Sequence, residues 1–186
     1  TRPSTFGPGG LASINDALDE IAARSDVAAV GVTGKPFVFA VGADLSAMSL
    51  VNDPAIISAF GKFGHDVLRR FGEFSIPTFA FVNGAAMGGG MELALHCDYR
   101  SVSADAAALS LPEVFLGLIP GWGGAWLLPN LVGPKRALEV IINNSMSQNK
   151  QLKPQQAVEL GVMDVIFAPA DFLEQSVLWA AGVLQG

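Results

Sequence analysis

Apolar positions along the chain switch repeatedly between helical and strand-like spacing. Leu11, Ile14, Leu18 and Ile21 fall on one helical face after the breakers Gly7 to Gly10. The spacing turns strand-like over 26–32, and a second short apolar run spans 37–41. An amphipathic helix is predicted next, with Ile56, Phe60, Phe63, Val67 and Phe71 inward. Pro77 opens a strand over 78–82, and a helix carrying Met91, Leu93, Ala94 and Leu95 follows the run Gly84 to Gly90. Strands at 99–103 and 108–111 come next. Helices are then expected at 125–131, 134–143, 154–160 and 171–184, with a strand at 163–167 between the last two. No linker or low-complexity segment interrupts this alternation, so the recurring units are layers of one α/β fold, a single domain over 1–186.

Composition fits that picture. With 186 residues, 51% hydrophobic and 15% charged, the chain has enough apolar material for a substantial core. A net charge of −6 and scattered basic residues argue against a nucleic-acid partner and for a small molecule or protein. Apolar runs are broken well before the ~20 residues of a membrane span. One cysteine, Cys97, fits a reducing, cytoplasmic setting, and its ordinary reading is an inert core residue. His65 and His96 lack ligand spacing, so no metal site is expected.

The chemistry concentrates in two places. Gly88, Gly89 and Gly90 leave no Cβ shield over the backbone, and the helix that follows points free N–H groups at any developing negative charge. Gly42-Ala43-Asp44-Leu45, another strand exit, offers a second donor. The glycine run matches neither the dinucleotide fingerprint nor the phosphate loop, and tight packing is its competing explanation. Glu92, among Met91, Leu93 and Leu95, and Glu113, in Leu111-Pro112-Glu113-Val114-Phe115, are carboxylates in apolar settings. Burial raises such pKa values toward neutrality, where a carboxyl group exchanges protons efficiently.

Phe39 through Leu45, Pro77 through Gly84, Gly88-Gly89-Gly90-Met91-Glu92, Cys97-Asp98-Tyr99-Arg100, Leu111-Pro112-Glu113 and Gly117 through Gly124 together resemble the crotonase, or enoyl-CoA hydratase/isomerase, superfamily. The match runs in order over most of the chain. It is most similar to the hydratase portion of a bacterial multifunctional fatty acid β-oxidation α subunit. The resemblance implies the ClpP/crotonase fold of repeated ββα units, trimmed here at both ends relative to the family's span. It implies that Ala43 and Gly89 N–H groups form an oxyanion hole for a thioester carbonyl. Ala40, Ala43, Asp44, Leu45, Ser46, Gly89 and Gly121 would contact the acyl-CoA, with Gly121 also fixing the reacting water. Glu92 would activate that water for attack at Cβ, and Glu113 would protonate Cα.

On this resemblance the activity is hydration of trans-2-enoyl-CoA to 3-hydroxyacyl-CoA. Δ3-Δ2-enoyl-CoA isomerase and a non-catalytic assembly module are the alternatives. No cofactor is implied beyond the CoA carried by the substrate. Val41 and Trp122 depart from the family pattern at the acyl pocket, Trp122 with two uses, packing on a helix or touching acyl chain. Phe60, Phe63 and Phe71 are expected in the core, with lining of the acyl tunnel as the alternative. Leu127, Leu128, Leu138, Val140, Ile141 and Ile142 form an apolar set that a domain of this size leaves partly uncovered. A homo-oligomer is therefore expected, with trimer favoured over dimer and a thiolase partner implied for the longer parent.

Overall fold

The computed structural model describes residues 4–44 and 53–186. Helix α1 (Pro8–Ala22) leads to strands β1 (Val30–Thr33) and β2 (Phe37–Ala40), and helix α2 spans Pro54–Arg69. A second unit contains β3 (Thr78–Val82), β4 (Gly84–Met87) and α3 (Gly89–His96). A third begins with β5 (Tyr99–Ser103) and β6 (Leu109–Ser110). It is followed by the short turn Glu113–Leu116 and by helices α4 (Gly124–Val132), α5 (Pro134–Leu138) and α6 (Pro154–Leu160). Strand β7 (Val165–Phe167) and helix α7 (Phe172–Gln185) close the described chain.

The odd-numbered strands form one sheet in the order β1-β3-β5-β7 and the even-numbered ones another in the order β2-β4-β6. All of these pairings are parallel, with Val30 opposite Thr78, Phe79 opposite Tyr99 and Ser101 opposite Val165. Each ββα unit thus lays one strand into each sheet, and successive units stack into a superhelix. Strand β3 is buried along its whole length, as its continuous apolar run requires of a strand covered on both faces. Leu11 and Leu18 of α1 are fully buried, worth about 2 kcal/mol each by area removed from water.

Helix α3 lies at the centre, all eight of its residues buried. The Cys97-Asp98-Tyr99-Arg100 segment that follows anchors it. The Asp98 carboxylate accepts from Thr78 N at 2.8 Å and from Thr78 Oγ1 at 3.0 Å. The buried Arg100 guanidinium donates to the carbonyls of Cys97 at 2.5 Å and Val162 at 3.1 Å, while Arg100 N–H donates to Asp164 at 2.6 Å. These bonds tie β3, β5 and the turn before β7 into the frame that holds α3.

Several expectations change. The first strand is Val30–Thr33 rather than 26–32, because only those residues have a partner on β3. Strand Gly84–Met87 is not visible as apolar alternation; its small residues are drafted into a strand by β2 and β6 on either side. In α2, Val67 and Leu68 are buried, as is Phe71 just beyond the helix, but Ile56 is 55% exposed and Phe63 37% exposed. The predicted helix over 134–143 begins as α5 and continues as a π-helical turn through Asn143. Of the apolar set on α4 and its successor, Leu128, Val140 and Ile141 are core, whereas Leu138 and Ile142 are exposed.

Candidate active site

The exit of β2, one face of α2, the glycine run, the turn after β6 and the segment just before α4 line a cavity of about 400 Å³. Its wall is mostly apolar, and its polar lining includes Glu92, Glu113 and Asn149.

Each glycine of the run serves a different neighbour. Gly88 has φ +51° with ψ −127°, a glycine conformation, and a Cβ there would lie 2.8 Å from Glu113 Oε1. A Cβ on Gly89 would overlap the Trp122 ring, and one on Gly90 would overlap the Ala40 carbonyl. The run therefore packs tightly, and Gly88 and Gly89 also line the cavity while Gly90 does not.

Ala43 and Gly89 face the same cavity. Ala43 forms a parallel bridge with Phe6 in which Gly42 O accepts from Phe6 N at 2.8 Å and Asp44 N donates to Phe6 O at 3.0 Å. The residue between those two directs its own N–H to the opposite side of the strand. Gly89 is the first residue of α3, where a backbone N–H has no partner within its helix. Among the described residues neither N–H makes a backbone hydrogen bond. The two strand exits are adjacent, since a Cβ on Gly42 would lie 3.4 Å from Gly89 N.

Glu92 sits one turn into α3, 2% exposed. Its Oε1 accepts from Trp122 N at 2.7 Å and Gly124 N at 2.9 Å. Burial pushes its pKa up to about 6, even though the Gly124 and Trp122 N–H groups favour the charged form. Glu113 begins the short turn after β6. Burial, reinforced by the negative charge of Glu92, pushes its pKa up to about 7. Its Oε2 is buried and has no hydrogen-bond partner among the described residues. The cavity thus contains one carboxyl group held by two donors and a second that keeps its proton more firmly.

The remaining expected contacts divide. Gly121 lines the cavity, but the N–H groups that hold Glu92 belong to Trp122 and Gly124. Ala40 is buried behind the glycine run and does not line the cavity. Asp44 is not among the lining residues either, its N–H being engaged with Phe6. Leu45 and Ser46 lie outside the described residues. Trp122 serves both uses considered for it: it lines the cavity and packs on α2, where a Cβ on Gly64 would overlap its ring. Its ring also contacts Phe6 and Phe60 at 6.1 and 5.7 Å between centroids. Of the aromatic residues expected in the core with tunnel lining as the alternative, Phe60 lines the cavity and Phe63 and Phe71 do not, while Asn149 joins the wall without any site signal in its own segment. Among the described residues no group of three or more His, Cys, Asp or Glu side chains is placed to hold a metal.

The structure is thus a two-sheet ββα superhelix with two buried glutamates and, among the described residues, two N–H groups without a backbone partner beside one apolar cavity. The enoyl-CoA hydratase/isomerase family profile matches residues 3–186, and the chain belongs to that family. It is 36% identical over 179 residues to the fatty acid oxidation complex subunit alpha of Shewanella frigidimarina, a match covering 95% of this chain and 24% of that protein. The corresponding subunit of Shewanella halifaxensis is 37% identical over 185 residues, covering 98% of this chain and 24% of its own length. The chain thus spans about a quarter of these relatives. An enoyl-CoA hydratase structure from Geobacillus kaustophilus superimposes with a TM-score of 0.90 at 30% identity, covering 98% of this chain and 68% of that one. The crotonase fold is therefore established, and with it membership of a lyase/isomerase enzyme family.

Proposed function

We propose that this chain hydrates trans-2-enoyl-CoA to 3-hydroxyacyl-CoA within fatty acid β-oxidation. The observation that carries this reading is a pair of glutamates facing one apolar cavity in unequal settings, Glu92 with its Oε1 held by the Trp122 and Gly124 N–H groups and Glu113 with a buried Oε2 that has no hydrogen-bond partner among the described residues. Hydration needs a base to activate water and an acid to protonate the enolate, and groups with separated affinities for the proton divide those roles. Glu92, ionised and held by Trp122 and Gly124, takes the proton from water as oxygen attacks Cβ. Electron density moves onto the thioester oxygen, which Ala43 and Gly89 N–H groups receive. Well-placed donors of this kind are worth roughly 3 kcal/mol each. The enolate then collapses by taking the Glu113 proton at Cα.

The CoA moiety enters with the substrate, and no further cofactor takes part. Similarity to the fatty acid oxidation complex subunits supports a place in a multi-protein complex, and a thiolase partner and a cytoplasmic setting are carried over from the family resemblance alone. Among the described residues no helix is long and apolar enough to cross a membrane.

Isomerisation of Δ3-enoyl-CoA is the second reading. Glu113 favours it: one acid with a pKa near neutrality, beside the oxyanion donors, is sufficient to move a proton along an acyl chain. Purified protein mixed with trans-2-enoyl-CoA separates the two readings. Loss of the conjugated absorbance with formation of 3-hydroxyacyl-CoA supports hydration. Absence of hydration together with conversion of Δ3-enoyl-CoA to the conjugated isomer overturns it.

A further inference from the structure

His96 lies one helical turn after Glu92 on α3, and both grip the same short turn. Glu92 Oε1 accepts the N–H groups of Trp122 and Gly124, while His96 Nε2 lies 2.7 Å from the Trp122 carbonyl oxygen. A carbonyl only accepts, so His96 carries a proton on Nε2 and donates it. We infer that His96 is a positioning residue for Glu92, fixing the Trp122–Gly124 turn whose N–H groups aim and charge-stabilise the Glu92 carboxylate.

The turn needs such a support. Gly123, at its centre, has φ +118° and is the N-terminal flank of α4 with no side-chain cap. Glycine gives this backbone its required conformation and also its freedom to leave it. A Cβ at Gly123 would lie 2.7 Å from His96 Nε2, so the imidazole is seated directly against the glycine it restrains. His96 is 9% exposed, and burial lowers its pKa, which favours the neutral ring. The His65 ring closes over it at 6.0 Å between centroids, edge to face, limiting its rotation. Glu92 and His96 therefore act as two fingers of one rigid helix closing on one turn, Glu92 on the N–H groups of Trp122 and Gly124 and His96 on the Trp122 carbonyl that lies between them in the chain. No sequence signal marked His96, because the bond runs to backbone from a residue whose only visible feature was isolation from other ligands.

The test compares His96→Leu with His96→Gln, whose amide N–H reaches the Nε2 position. Hydrogen-exchange NMR of the Trp122 and Gly124 amides reads the turn directly. The inference predicts loss of protection at both amides by at least about tenfold in His96→Leu, with native protection elsewhere in α3. His96→Gln restores it. Retained protection in His96→Leu, or equal loss along all of α3, overturns the inference. The catalytic half of the inference rests on the hydratase reading and predicts that His96→Leu lowers kcat about tenfold or more, leaves KM within about threefold, and is rescued by His96→Gln. If wild-type protein fails to hydrate, that reading falls while the amide measurement still decides the role of His96. If wild type hydrates and His96→Leu matches it in kcat, the positioning role falls alone.

Discussion

Gly90 sits with its α-carbon directly against the backbone carbonyl of Ala40, leaving no space for even one methyl group. The neighbour is main chain in a parallel strand, which cannot move aside as a flexible side chain would. Gly90→Ala should therefore destabilise by roughly 3 kcal/mol or more, measured by urea denaturation. Gly121→Ala is the contrast: its nearest neighbour would be Ile119 O at 3.7 Å, and stability should change by less than about 0.5 kcal/mol. Equal costs at the two positions would show that Gly90 is not a packing constraint.

The two glutamates should behave as one unit. Glu92→Gln and Glu113→Gln should each lower kcat for hydration by on the order of 10²–10⁴. The double variant should cost little more than either single one, because the second group has nothing left to cooperate with. Additive losses would mean that the two carboxyls act independently.

A bell-shaped dependence of kcat/KM on pH is expected, since Glu92 must be ionised while Glu113 keeps its proton. The limbs should fall near the pair's apparent values of about 6 and about 7. A rate that still climbs above pH 9 would exclude Glu113 as the acid.

Stability should show the opposite face of the same shifts. Both folded-state values lie above the ordinary 4.5, so between pH 4.5 and 7 the folded state binds more protons than the unfolded state. Stability contributed by these groups is present at low pH and lost as pH rises through 6 to 7. Glu92→Gln, whose Oε1 still accepts from Trp122 and Gly124, should then stabilise the fold by about 2 kcal/mol at pH 8 and by little at pH 4. Thermal melting at the two pH values checks this.

Cys97 is buried, and burial pushes its thiol up to about 12. Ellman's reagent should react with it only on unfolding, so thiol release in denaturant should follow the loss of helical circular dichroism. Rapid reaction in the native protein would place Cys97 at the surface.

Trp126, Leu138 and Ile142 remain exposed on the helical face after Gly123. Self-association is expected, with trimer favoured over dimer. Sedimentation equilibrium across a dilution series checks it, and an active monomer at micromolar concentration would separate assembly from the site.

The alternating apolar periods, strongest in the run Thr78–Val82 and in the Leu11 to Ile21 face, determined the α/β class, because burial imposes those periods locally. Glycines followed by Glu92, and Glu113 in an apolar setting, likewise singled out two carboxyl groups that line one cavity, since a carboxylate placed among apolar residues is costly without a partner or a use. What joined them was tertiary. Strand Gly84–Met87 exists through pairing with β2 and β6, and small residues carry no periodic sign of that. Phe60 entered the cavity wall while Ile56 and Phe63 turned outward, a division set by where Trp122 packs on α2. The donors to Glu92 are backbone groups 30 residues or more away, at Trp122 and Gly124. Every residue but proline carries such an N–H, so only the folded chain decides which of them meet a carboxylate.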